Sequence, residues 1–142
     1  PAAVAYAEAV GVPLSEAASR FMKNPVGLMA GDEPFVRSPQ RIEGDAVYFY
    51  CQVREGLELE VLSSTNIISD TRILLEEKNR TAPVEAVINF NCILRTLQLR
   101  EEGKESEYGK IFSDIPTIGF STYGEEYIGH INQTATMLLL LK

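Results

Sequence analysis

The sequence is poor in the residues that most often carry chemistry. It has one histidine, His130, and two cysteines, Cys51 and Cys92, in 142 residues. One histidine excludes the His-Glu-x-x-His motif and any three-histidine zinc site. The cysteines are too far apart for Cys-x-x-Cys, and two thiols do not make a disulfide framework. No catalytic or metal set and no cofactor motif is therefore expected. Gly-x-Gly-x-x-Gly is missing as well. Gly119 and Gly124 have the spacing of a phosphate loop, but Glu125 and Glu126 follow them. Two carboxylates repel a phosphate. Gly119-Phe120-Ser121-Thr122 lacks the second glycine of a nucleophile elbow. Thirteen basic residues against twenty acidic ones give a formal charge of −7. That balance leaves no whole-domain basic footprint for nucleic acid. The apolar run Met137 to Leu141 falls far short of the roughly 18 residues of a membrane-spanning helix.

What is present is ordinary globular material, 45% hydrophobic and 23% charged. A chain of this length buries a sizeable core without staples. No Pro/Gly/Ser-rich linker and no repeat divides it, so residues 1–142 read as a single domain. Two thiols and no secretory segment fit a reducing, cytoplasmic compartment. The chain starts at Pro1 rather than Met, which reads as a piece excised from a longer protein with a partner domain elsewhere.

Periodicity gives a mixed α/β (α+β) domain: N-terminal helices, an antiparallel strand meander, then α-β-α-β-β on one mixed sheet. Val4, Ala7 and Val10 have helical spacing over Ala2–Val10, and a second short helix follows from Leu14 until Asn24-Pro25 stops it. Val26–Met29, Phe35–Ile42, Ala46–Val53 and Leu57–Val61 read as the strands of the meander, with Pro39 demoting its strand to an edge or a bulge. Asn66 caps a helix through Lys78 with Ile67, Thr71, Leu74 and Leu75 inward. Val84–Phe90 is continuously apolar, as a central strand is. Cys92–Leu99 starts another helix, a break follows around Gly103, and Tyr108, Ile111, Phe112 and Ile115 resume a helical face until Pro116. Ile118–Tyr123 and Asn132–Leu141 are the last strands. The crossover from the Val84 strand to the Ile118 strand is expected to be parallel and right-handed.

Ligands of α/β sheets favour the carboxyl ends of parallel strands. Asn91, Cys92 and Arg95 follow one such strand, and Ser121 to Glu125 end the other. If the strands are neighbours, both groups face one crevice. A guanidinium holds a carboxylate by two parallel bonds, and Glu125 suits an ammonium. Together they suit a zwitterion such as an amino acid. The plainer alternative is that Arg95 and Glu125 pair with each other. Cys92 is a small buried hydrophobe, a pocket wall, or a nucleophile served by His130. Arg37 and Arg41 either reach the cleft or guard an edge strand.

The same residues resemble the C-terminal half of the FIST (F-box and intracellular signal transduction) sensory module. The strongest likeness is Ile115-Pro116-Thr117-Ile118-Gly119-Phe120-Ser121-Thr122-Tyr123-Gly124-Glu125, followed by Asn132-Gln133-Thr134-Ala135-Thr136. Asn24-Pro25-Val26-Gly27-Leu28, Phe35-Val36-Arg37 and Phe90-Asn91-Cys92-Ile93-Leu94-Arg95 are similar to further segments of that family, in the family's order. The resemblance implies a non-enzymatic, cytoplasmic sensory domain of a signal-transduction protein that binds a small polar metabolite such as an amino acid. It implies ligand-binding candidates Arg37, Cys92, Arg95, Tyr123, Glu125 and Asn132. It implies as partner an N-terminal FIST-like domain or another signalling domain of the parent chain. The competing readings are a protein-interaction module that docks a partner domain through Arg37 or Arg41, and a Cys92/His130 enzyme.

Overall fold

Asn66 shows how local chemistry starts an element here. Its side-chain oxygen accepts hydrogen bonds from the backbone N–H groups of Ile68 and Ser69, two donors that a helix leaves unmet at its start. The computed structural model describes residues 1–142, the Tyr127 side chain excepted. The chain divides into two compact units, Pro1–Ser64 and Thr65–Lys142.

The first unit begins with helix α1 (Ala2–Val10), closed by Gly11 in the left-handed conformation, where glycine has no side chain to clash. A short 3-10 helix follows (Leu14–Arg20). Tyr6, Ala7, Ala17, Phe21 and Val26 form the core of this unit. The inward face of α1 is thus Ala3, Tyr6 and Ala7, one register away from the Val4 stripe that the spacing suggests. Strands β1 (Val26–Ala30) and β2 (Glu33–Arg37) form an antiparallel pair, and β3 (Pro39–Glu43) and β4 (Ala46–Phe49) form another. They do not join into one meander. Strand β5 (Glu60–Val61) returns beside β1 instead, giving the order β2-β1-β5 and a separate β3-β4 ribbon. The expected strand Phe35–Ile42 breaks at buried Ser38 because Pro39 has no N–H to continue a ladder.

The second unit holds helix α2 (Ile67–Thr81), strand β6 (Val84–Cys92), helices α3 (Ile93–Glu101) and α4 (Glu105–Lys110), and strand β7 (Thr117–Thr122). A small hairpin of β8 (Glu125–Tyr127) and β9 (Gly129–Ile131) precedes strand β10 (Ala135–Leu141). The sheet order is β10-β6-β7, with β6 central. Strand β7 is parallel to β6 and β10 antiparallel, so the expected mixed sheet is present. Leu75, Val84 and Val87 pack with Ile111, Phe112, Ile115, Met137 and Leu139 on one face. Alternation sends the other side chains to the opposite face. There Ile118 and Phe120 are 71% and 64% exposed, and Leu138 and Leu140 about half. Leu74, expected inward, is also half exposed.

Candidate functional site

The register places the two predicted groups together. Asn91 pairs with Ser121 and Cys92 with Thr122, so the carboxyl ends of β6 and β7 lie side by side. Gly119 makes this close approach possible. A Cβ there would meet the carbonyl carbon of Asn89 at 2.9 Å, with the oxygen nearer still. Gly124 turns the chain after β7 at φ 154° and lies against the His130 ring, whose Nε2 a Cβ would meet at 3.3 Å.

Two charged side chains organise the strand ends, and they do not pair with each other. Glu125 is 4% exposed. Its carboxylate accepts from the Thr122 hydroxyl and, at 3.1 Å, from the Thr134 hydroxyl. Arg95 donates from Nε to Asn91 Oδ1 at 2.9 Å and from Nη2 to the Thr71 hydroxyl at 3.1 Å. Its guanidinium lies 5.9 Å from the Tyr108 ring centre. Among the described residues neither charge has an opposite charge in salt-bridge contact; the ion pairs lie elsewhere, at Arg41–Glu43, Arg100–Glu105 and Lys104–Glu102. The Arg95 network continues outward. Asn91 donates to the Thr96 hydroxyl at 2.9 Å, and Thr96 meets the Ser121 hydroxyl at 2.8 Å. Asn89 donates to the Tyr108 hydroxyl at 3.1 Å, while its Oδ1 is buried without a partner among the described residues.

Cys92 is buried beside Glu125. Burial pushes its thiol above the ordinary range. The N–H groups of Leu94 and Gln133 work against that shift, and the Glu125 carboxylate adds to it. A catalytic thiol needs the opposite shift. The Asn132 amide nitrogen, also buried, lies 3.2 Å from His130 Nε2. Gln133 and Ile128 hold left-handed backbone at φ 54° and 65°. Such conformations cost energy for residues other than glycine and gather at functional sites.

A cleft of about 440 Å³ opens beside this cluster, between α2 and β10. Leu74, Leu75 and Lys78 line it from α2, Met137 and Leu139 from β10, and Thr134 at the strand-end side. Thr134 thus touches the cleft and holds Glu125. Leu75 lies one turn after Thr71, and Ala135 pairs with Asn91, which brings the Arg95 network to the same end of the cleft.

Against protein families, residues 2–127 match the FIST C domain. The chain belongs to this family. The match spans most of the chain and both units, and FIST C domains are sensory domains of signal transduction. It stops short of Asn132–Thr136, which lie outside the matched residues. No curated protein and no solved structure matches the chain.

In this FIST C domain, four sequence candidates (Cys92, Arg95, Glu125 and Asn132) sit in the second unit at or next to the ends of β6 and β7. Tyr123 is in that unit too but is 86% exposed, so it walls nothing in this conformation. Arg37 belongs to the first unit, at the end of β2, where its guanidinium donates to the carbonyls of Phe35 and Val36. Of the neutral groups around the two charges, Asn91 and Thr122 belong to the expected strand-end groups, while Thr71, Tyr108 and Thr134 do not. One signal for Asn91 stands in the sequence. Asn89 and Asn91 are polar at alternate positions of the central strand, in step with Val87, so they share a buried face with it. Among the described residues no group of three or more His, Cys, Asp or Glu side chains is placed to hold a metal. No helix among them is long and apolar enough to cross a membrane.

Proposed function

We propose that this FIST C domain is a cytoplasmic sensor that binds a small polar metabolite of the amino-acid type at the ends of β6 and β7. Arg95 takes the carboxylate, Glu125 the ammonium, and the cleft between α2 and β10 the rest of the ligand. The observation that carries this reading is the separation of the two charges. A half-buried guanidinium and a buried carboxylate are each held by neutral groups, and Thr134, which holds Glu125, lines one end of the cleft. Buried charge is costly unless it is compensated, and a zwitterion compensates both. A guanidinium has five N–H donors, and Arg95 uses two of them on Asn91 and Thr71. Cys92 and Asn132 are buried neutral groups beside the strand ends. Ligand binding would shift the balance between two packings of the strained β8–β9 hairpin and the Gln133 turn, and that shift would be the signal.

The test is a thermal-shift and calorimetric titration of the 142-residue chain with the common amino acids. A ligand at 100 times its Kd is expected to stabilise by about 2.7 kcal/mol, several degrees for a chain this size. Arg95→Gln and Glu125→Gln are each expected to weaken binding at least tenfold, about 1.4 kcal/mol. A wild-type ligand indifferent to both substitutions, or no ligand at all, overturns the reading.

The exposed face of the second unit's sheet favours one other reading, docking of a partner domain such as an N-terminal FIST-like domain of the parent chain. Ile118, Phe120, Leu138 and Leu140 supply an uncharged surface there, and such patches mark interaction sites. The arginines of the first unit are weaker candidates for this role. Arg41 is paired with Glu43 and lies 4.0 Å over the Tyr48 ring. Loss of partner binding in Phe120→Asp, with no small ligand found, would favour the docking reading.

A further inference from the structure

The cleft is larger and more apolar than an amino-acid head group needs. Its volume of about 440 Å³ lies within the range of small-molecule sites. At roughly 30 Å³ for each water-sized group it has room for about fifteen of them, of which an amino-acid head uses about five. Apart from Thr134, Thr136 and Lys78 the lining is hydrocarbon, chiefly Leu74 and Leu75 on α2 and Met137 and Leu139 on β10. From Ala135 to Leu139 the cleft follows four strand steps, about 13 Å. Among the described residues the one charged side chain lining it is Lys78, whose position one turn after Leu74 places it away from the Thr134 end.

We infer that the ligand carries an unbranched aliphatic chain of several carbons that lies along β10, with no positive charge at its far end. The inference rests on the head-group reading above and adds the chemical class of the tail. The four apolar side chains dehydrate the chain. The Lys78 stem covers apolar surface while its ammonium stays in water, where it repels a cationic terminus. Leucine side chains offer no partner to a second amine, so leaving water costs such a group more than it gains.

The test is isothermal titration of the 142-residue chain with the straight-chain 2-amino acids from 2-aminobutyrate to 2-aminodecanoate, and with lysine. Affinity is expected to rise about fourfold for each added methylene until the cleft is filled, then level off. Lysine is expected to bind at least tenfold more weakly than 2-aminohexanoate, which has the same chain without the second amine. Leu74→Asp, at a half-exposed wall position, should flatten the rise without unfolding the chain. Equal binding across the series, or lysine as strong as 2-aminohexanoate, overturns the tail and leaves the head-group site standing. Binding by no member of the series overturns both.

Discussion

The two units treat buried polar groups differently. In the first, the buried polar side chains are few: Ser38, and Tyr6 within the core cluster. The Tyr6 hydroxyl has a local solution, donating to the Asn24 carbonyl at 2.7 Å. In the second, Thr71, Asn89, Asn91, Glu125 and Asn132 are all buried. One acceptor among them has no partner, and one charge has no counter-charge in contact among the described residues. A polar group without full compensation costs stability, and real proteins break such rules mostly where function requires it. The contrast teaches that incompletely compensated buried polar groups gather in the second unit, although the family match covers both.

The contrast breaks most sharply at Gly119. A Cβ there meets the backbone of Asn89 rather than a side chain that can swing away. Gly119→Ala is expected to cost about 3 kcal/mol, to pry β7 from β6, and to abolish ligand binding with it. Urea denaturation and a ligand titration of the same variant check both halves.

Tyr6 sharpens the contrast from the other side. Burial pushes its hydroxyl up to about 12 from the ordinary 10, against a smaller downward pull from Arg20. The folded chain therefore keeps this proton after the unfolded chain has lost it. The resulting stability is complete below pH 10 and is lost as the pH rises through about 12. The whole span is worth about 2–3 kcal/mol. Tyr6→Phe should remove this alkaline slope and cost about 1 kcal/mol at neutral pH through the lost hydrogen bond. Ligand affinity should not change. Denaturation midpoints at a series of pH values report the slope.

Much of the fold is legible in the sequence because its causes are local. The Asn66 cap, the end of the 3-10 helix region before Pro25, and the largely apolar β6 each depend on a few adjacent residues. The parallel β6–β7 pair is legible because a helix separates two strands, and such a crossover favours parallel neighbours. The β8–β9 hairpin is not legible. Its strands have three residues each, and its turn places β-branched Ile128 at positive φ, where turn chemistry predicts Gly or Asn. The site divides in the same way. Residue types and strand ends point to Arg95 and Glu125. Their separation depends on Thr71, 24 residues before Arg95, and on Thr134, nine residues after Glu125. No spacing rule brings those partners in. Arg37, read from the sequence as either reaching the cleft or guarding an edge strand, stands in the other unit.

The claim that two separated charges share one zwitterion is tested most directly by blocking each end of the ligand in turn. Titration calorimetry of the wild-type chain would compare 2-aminohexanoate with its N-acetyl derivative and its methyl ester. If Arg95 and Glu125 each hold one end, both blocked compounds bind at least tenfold more weakly than the parent. If either blocked compound binds as tightly as the parent, the charge it lacks is not recognised, and the account of the site is wrong.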